Sequence, residues 1–584
     1  MAADNRQALP SLDVWTSALL AKSTAGRGGS GKLEAYGIKK LRELILELAV
    51  RGKLVAQDPN DEPASALLKK IEKEKARLIE EGMIAAQKSL PEVTKAEEYF
   101  NLPNGWAWSR LGEITNYGIT DKAEPDDVSK DTWILDLEDV EKETSKLLKK
   151  YRFAEKPFLS SKNRFASGDV IYGKLRPYLD KVLVADEDGV CTTEMMPVRG
   201  YFGIAPFYLR LLMKAPHFIK YADDSTHGMN LPRLGTDKAR MALFPLAPLA
   251  EQHRIVAKVD ELMALCDQLE QQQTHSLAAH QTLVETLLDT LTRTGSQQEF
   301  SAAWARIASH FDTLFTTEAS IAQLKQTLLQ LAVMGKLVPQ DPNDEPASVL
   351  LKRIQVEKAK LIAEGKVKKD KPPQAIAEDE KPFVLPQSWE WICLSDLMPE
   401  FQNGVSSRGD KDGNPTTVLR LADIKNRRIS LEDTRTIPIN PRDIEKYQLL
   451  MGDILITRVN GSADIVGNFI LNDGGVEAIY CDHFIRMRIA PQWINANYLC
   501  LLGESSLVRN KIQNLFITTA GQKTVNQGHI GSLPIALPPF AEQRRIVAKV
   551  DELMALCDTL KARIKDAQTT QLHLADAIVE QAVC

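Results

Sequence analysis

Several stretches of this 584-residue chain have the residue types of a chemical site, and most lack one required group. GRGGSGKL at 26–33 has the Gly-xxxx-Gly-Lys spacing of a phosphate-binding loop. Position 33 is leucine where serine or threonine must hold magnesium, and the ALLAKST ahead of it is no buried strand, so it reads as a Gly/Ser linker. LPPF at 537–540 approximates the Asn/Asp-Pro-Pro-aromatic tetrad of an amino-methyltransferase, with leucine where the amine must be bonded. Asp453 with Arg458 does not supply the acidic cluster and lysine of a nuclease, and its counterpart Asp169 marks it as a turn residue. What remains is polar loop: RPYLDKV (176–182) and NGSADIVGN (460–468), with the Gly-centred turns STHGMNLP (225–232) and TTAGQKTV (518–525). Arginine pairs bidentately with guanine, and Asn or Gln with adenine, when loops present them beside a groove. Lys174, Arg176, Tyr178 and Lys181 in the first set, and Arg458, Asn460, Ser462, Gln522 and Lys523 in the second, are the candidate polar contacts, able to read bases where the loops face a groove. For any one of them the competing reading is a solvated charge or a phosphate contact, which carries no sequence information. His217, His227, His483 and His529 fall in no ligand spacing and read as ordinary.

The elements that hold these loops are written twice. Residues 47–65 (ELAVRGKLVAQDPNDEPAS) and 330–348 (QLAVMGKLVPQDPNDEPAS) are identical at 16 of 19 positions. Residues 250–267 (AEQHRIVAKVDELMALCD) return at 541–558 with only His253 against Arg544 changed. LPNGWAWSRL (102–111) matches LPQSWEWICL (385–394), and the strand candidates GDVIYGKL (168–175) and GDILITRV (452–459) match after a Gly-Asp turn. The polar stretches between these blocks barely resemble each other. One scaffold is thus repeated around two β-rich inserts, and the chain presents two variable modules.

The scaffold reads as helix. Ile255, Leu262 and Leu269 recur every seven residues with Val259 and Cys266 offset by four, and Ile546, Leu553, Leu560, Val550 and Cys557 repeat the pattern. That stripe calls for packing against another helix. Ile255, Val259, Leu262, Ile546, Val550 and Leu553 are therefore candidate helix-contact and partner-contact residues. The pattern continues through Leu283, Leu287 and Leu291 to Gly295. A second long helix, marked by Trp304, Ile307, Phe311, Leu314, Ile321, Leu324 and Leu328, ends near Gly335. At about 40 residues each helix spans ~60 Å, and the pair forms an antiparallel coiled-coil rod. The DPNDEPAS element is a loop and a helix start, with Pro63 and Pro346 in the first turn of helices that stop at Gly82 and Gly365. The expected fold is α+β and multidomain: two β-rich domains separated by long antiparallel coiled-coil helices, with an internal pseudo-two-fold repeat.

Composition sets the broad class. A hydrophobic content of 44% with 26% charged residues is that of a globular protein, and no 18-residue apolar run suggests a membrane span. The N-terminus has acidic Asp4 and no apolar core of a signal peptide. Seven cysteines include no CxxC pair, and Cys266 and Cys557 share one repeat position in an apolar helix face. A reduced, cytoplasmic protein without metal or cofactor follows. The net charge of −5 does not advertise nucleic acid, and residues 101–249 balance 21 Lys+Arg against 21 Asp+Glu. A DNA binder of this composition needs clustered cations or a basic partner.

The repeated order of helix, LPxxWxW entrance, GD-strand and EQxRIVAKVDEL helix resembles the specificity subunit of type I restriction-modification enzymes, from about Leu41 to the C-terminus. The resemblance implies two target recognition domains, each reading half of a bipartite double-stranded DNA site across an unread gap. It implies two modification subunits that bind the helices and carry adenine methylation, and restriction subunits that add ATP-driven translocation and cleavage. The chain itself is expected to be non-catalytic. The expected division is an N-terminal extension (1–36), scaffold helices (37–100), recognition domain one (101–249), central helical spacer with the second repeat (250–382), recognition domain two (383–540) and a C-terminal scaffold helix (541–584). The other reading of a duplicated coiled-coil chain is an assembly protein whose variable modules bind proteins.

Overall fold

The computed structural model describes residues 12–21, 33–227, 231–365, 376–406, 413–519 and 521–583. The Gly-rich stretch 26–32, and the centres of the two polar turns at 228–230 and 520, lie outside the described residues. The chain is α+β and divides into two compact units, residues 1–276 with 567–584, and residues 277–566. The helices Leu249–Arg293 and Phe540–Val583 are 45 and 44 residues long, and each contributes to both units.

In the first unit the helix Tyr36–Val50 buries Ile38, Ile45, Ala49 and Val50 in the same core as Ile255, Val259 and Cys266 of the long helix. Each fully buried isoleucine or valine among them contributes ~1.5–3 kcal/mol. The helix Ala64–Glu80 follows with Pro63 as its N-cap, one position earlier than the first turn expected from sequence. Its apolar residues Leu67 and Ile71 join that core. The chain then forms a five-stranded sheet in the order Lys122–Ala123, Lys162–Phe165, Gly189–Cys191, Trp133–Leu135, Tyr151–Arg152. A three-stranded sheet follows, with Val170–Gly173 between Met195–Val198 and Val182–Val184. Two helices, Pro206–Lys214 and Pro216–Asp224, pack on it, and Leu243–Leu246 closes the module by pairing antiparallel with Ala107–Arg110.

The second unit repeats the plan. The helices Glu318–Val333 and Ala347–Ala363 correspond to Tyr36–Val50 and Ala64–Glu80, and Pro534–Leu537 closes its module against Glu390–Cys393. Ile454–Thr457 lies between Phe484–Arg488 and Phe469–Leu471, as its counterpart Val170–Gly173 lies between two strands. The helices Ala496–Glu504 and Ser506–Asn514 complete the match. Gly52 and Gly335 show how tight the repeated join is. Both have positive φ (64° and 71°), and a Cβ would meet Pro103 and Trp106 at 2.6 and 2.9 Å, or Pro386 and Trp389 at 2.6 and 3.0 Å.

Two expectations are corrected. The second long helix is three pieces, Gln297–Ser309, Phe311–Leu314 and Glu318–Val333. Thr317 restarts the helix by accepting from the Ser320 amide at 3.1 Å, and an N-cap cannot sit inside a continuous helix. The stripe of the first long helix also shifts after residue 280. Val284, Leu288 and Leu291 are buried against Ile307, Leu324 and Leu328, whereas Leu283 is 51% exposed.

The N-terminal extension finds a place in the first unit. Trp15, on the short helix Leu12–Ser17, is 3% exposed and packs with Ala18, Leu44 and Ala575. The strand pair Leu20↔Glu34 and Ala21↔Leu33 returns the chain to the helix Tyr36–Val50. Tyr36 Oη donates to Asp576 at 2.7 Å, so the start of the first scaffold helix and the C-terminal helix pack together.

Candidate nucleic-acid interface

The modules are held to the scaffold by the residues that make the AEQxR block recognisable. Glu251 accepts from Trp106 Nε1 at 3.0 Å and Gln57 Nε2 at 2.8 Å. Gln252 accepts from the Ala205 amide at 3.1 Å and donates to the Ala247 carbonyl at 3.0 Å. Arg254 pairs with Asp61 of the DPNDEP loop at 2.5 Å. The second unit repeats every contact: Trp389 and Gln340 donate to Glu542, Gln543 accepts from the Asn495 amide, and Arg545 pairs with Asp344. Burial raises both glutamate pKa values above their ordinary value, and the Trp and Gln donors oppose that rise. A buried carboxylate with two donors is a specific joint, since removing a donor leaves it under-bonded.

The predicted loops meet in each unit. Gly168 and Gly452 turn the chain with φ of 87° and 89°, and Asp169 and Asp453 brace the turn by accepting from the Ala166 and Leu450 amides at 2.8 and 2.7 Å. Each aspartate also pairs with an arginine of the neighbouring strand region, Asp169 with Arg199 at 2.7 Å and Asp453 with Arg488 at 2.6 Å. The strands then deliver Lys174 and Arg458 into one backbone frame. The Lys174 amide donates to the Glu194 carbonyl at 3.0 Å, and the Lys174 carbonyl accepts from Leu234 at 3.0 Å. Arg458 does the same with His483 at 2.7 Å and Val525 at 2.9 Å. The post-strand loop and the chain that follows the Gly-centred turn of each module, far apart in sequence, therefore share one surface.

Within the first frame Arg176 is exposed, has a left-handed φ of 53°, and donates its amide to the Pro232 carbonyl at 2.7 Å. Tyr178 is 47% exposed. Lys181 is turned inward: its Nζ donates to the Leu137 carbonyl at 2.6 Å, and burial lowers its pKa. That lysine braces the loop rather than offering a free cation. The next pair does likewise, with Lys214 Nζ on Asp180 at 2.5 Å and burial pushing the Asp180 carboxyl up to about 6.

In the second frame Val459–Asn460 joins the three-stranded sheet with Gln522–Thr524 and Ile517–Thr519. Asn460 pairs with Lys523, and its side chain accepts from the Ser462 amide at 2.8 Å. Lys523 Nζ donates to the Gly461 carbonyl at 3.1 Å, and Gln522 is exposed beyond it. Arg458 is half-buried, with its Nη1 directed at the Asp482 carbonyl at 3.4 Å. Glu194 and Arg233 in the first frame and Thr524 in the second are not singled out by sequence, and His483 reads there as ordinary, because only strand pairing brings them beside Lys174 and Arg458.

The stripe residues lie inside the chain's own core. Ile255, Val259, Ile546 and Val550 are at most 2% exposed; Leu262 is half-buried against the core that holds Ile255 and Val259, and Leu553 against a neighbouring core that holds Cys557. None of the four buried residues offers a free face to a partner. Cys481, Asp482 and His483 bring ligand-type atoms within 4.8 Å of one another, a proximity the sequence reading of His483 did not anticipate. Burial pushes the Cys481 thiol up to about 11, which disfavours the thiolate a metal needs.

Residues 386–568 match the family described as type I restriction modification DNA specificity domain. The chain is 42% identical to the EcoAI specificity subunit of Escherichia coli over 98% of both chains. It is 39% identical to the EcoEI specificity subunit of the same species, again over 98% of both. A solved HsdS subunit from Thermoanaerobacter tengcongensis aligns with 84% of this chain and 99% of its own, at 19% identity and a TM-score of 0.44. With end-to-end identity of this order to two curated subunits, the chain belongs to the family of type I restriction enzyme specificity subunits.

Proposed function

We propose that this chain is the DNA sequence-recognition subunit of a type I restriction-modification complex, reading a bipartite duplex with one frame in each unit. The observation that carries the reading is the matched pair of frames at Lys174 and Arg458, identical in backbone bonding and different in side chains. A shared frame with changed polar groups is what two readers of unlike sequences require. Lys174, Arg176 and Tyr178 face one half-site, and Arg458, Asn460, Ser462, Gln522 and Lys523 the other. Residues 101–249 and 383–540 are the two recognition domains, and 250–382 is the spacer. The chain performs no chemistry in this scheme. Methyl transfer belongs to two modification subunits seated on the exposed flanks of the scaffold helices, whose stripe residues Ile255, Val259, Ile546 and Val550 hold those helices in place. Restriction subunits complete the assembly in the cytoplasm.

With a formal net charge of −5, much of the phosphate contact falls to the partner subunits. The test is a gel shift of the full chain with and without the modification subunit across salt concentrations. Tight, sequence-dependent binding with a steep salt slope, present only in the complex or strengthened by it, is expected. Binding of proteins but of no duplex at any salt would return the modules to the protein-binding reading.

A further inference from the structure

Beside Lys174 stands an arginine whose guanidinium plane is set by a carboxylate. Arg233 Nε donates to Glu194 Oε2 at 2.9 Å and its Nη2 donates to Oε1 at 3.0 Å, a two-point pair. Both residues flank the frame: the Glu194 carbonyl accepts the Lys174 amide, and Leu234, next after Arg233, donates to the Lys174 carbonyl. Arg233 also bridges Leu175 in backbone pairing. Its side chain is 40% exposed and that of Glu194 27%, so the pair lies at the surface of the loop cluster and not in the core. A salt bridge there adds little stability by itself, and its geometric effect matters more. The pair occupies two of the five guanidinium donors. The opposite edge, Nη1 with the remaining Nη2 hydrogen, keeps two parallel donors, the pattern that matches guanine O6 and N7. In the second frame His483 and Thr524 stand where Glu194 and Arg233 stand in the first, so the same backbone carries different chemistry.

Resting on the DNA-reading function proposed above, we propose that Arg233 reads a guanine of the first half-site and that Glu194 is the positioning residue that aims it. A free arginine explores many rotamers and pays that entropy on binding, whereas one held flat by a carboxylate meets the base with its donor edge already oriented. Glu194 also repels the phosphate backbone, which favours a base contact over a phosphate contact for the arginine it holds.

The experiment is selection of duplexes from a random pool by the full chain assembled with its modification subunit. Wild type is compared with Arg233→Ala, Arg233→Lys, Glu194→Ala and Glu194→Gln. Arg233→Ala is expected to cut the preference for guanine at one position of one half-site by roughly ten- to hundredfold. Arg233→Lys does not restore it, because a point cation lacks the two-donor edge. Glu194→Ala relaxes the same position, and Glu194→Gln, which keeps an acceptor, recovers part of the preference. The second half-site stays unchanged in all four variants and reports that each still folds and assembles. Should Arg233→Ala lose the whole first half-site, Arg233→Lys decides the matter by keeping the site and losing only that guanine. A uniform weakening over all sequences with a shallower salt slope would make Arg233 a phosphate contact. Unchanged selection in the Arg233 variants, or in both Glu194 variants, would overturn the proposal. A wild-type complex that selects no sequence would instead sink the DNA-reading function itself.

Discussion

Trp106 donates its indole N–H to Glu251 across 3.0 Å, a carboxylate that is 1% exposed where the first module meets the scaffold. The joint predicts a pH-dependent penalty for Trp106→Phe. Losing one donor costs the ionised carboxylate ~1–3 kcal/mol. Burial already raises the Glu251 pKa above its ordinary 4.5, so its protonated form is the less costly one in the fold. The penalty is therefore full at neutral pH, where the group is ionised, and shrinks as pH falls toward the carboxylate range. Urea unfolding of wild type and variant at pH 7.5 and pH 5 reads it. A penalty that grows on acidification would reject this account of the joint.

A second prediction concerns the N-terminal extension. Trp15→Ala empties a site lined by Leu44 and Ala575, and large-to-small changes of this kind cost ~3–5 kcal/mol. The loss should appear as faster proteolysis of the C-terminal segment 567–583, which that tryptophan covers. If cleavage there is as slow as in wild type, the extension is not what holds the terminal segments together.

The loops give a third. Arg458→Ala should weaken specific binding by ~1–3 kcal/mol if its guanidinium meets a base. Lys181→Met should leave base preference unchanged, because Lys181 spends its charge on the Leu137 carbonyl. Quantitative gel shifts on cognate and scrambled duplexes separate the two. Equal losses for both substitutions would mean that the inward orientation of Lys181 does not persist on DNA.

Much of the scaffold was legible because it is local. Helix starts within one residue of Pro63 and Pro346, stops near Gly82 and Gly365, and the buried Ile255, Val259 and Cys266 all follow from spacing and turn chemistry. The break after Ser309 was missed because Ile307, Phe311 and Leu314 keep helical spacing across it, although Thr317 and Ser320 form a capping pair that could have signalled a new start. The letters of AEQxR were recognisable as a block, but their reasons were not: Glu251, Gln252 and Arg254 each contact residues remote in sequence. The polar loops stand out in the sequence by residue type alone. Their meeting through Lys174, Glu194 and Leu234 depends on strand pairing, which no periodicity encodes.

Modularity yields a fourth prediction. Exchanging residues 103–249 for the matching module of another family member should change one half of the recognised site and leave the other. The exchange is best made with Glu251, Gln252 and Arg254 retained, since they carry the contacts to Trp106, Ala205 and Asp61. Methylation mapping of a plasmid library reads the new site. A change in both halves would show that the two frames do not read independently.

The central claim, two separate readers in one chain, is tested most directly by selecting bound duplexes from a random pool with the full chain and its modification subunit. The account predicts two short base-specific segments separated by an unread gap of fixed length, with Arg176→Ala degrading one segment and Arg458→Ala the other. A single continuous motif, or one motif lost equally in both variants, would contradict it.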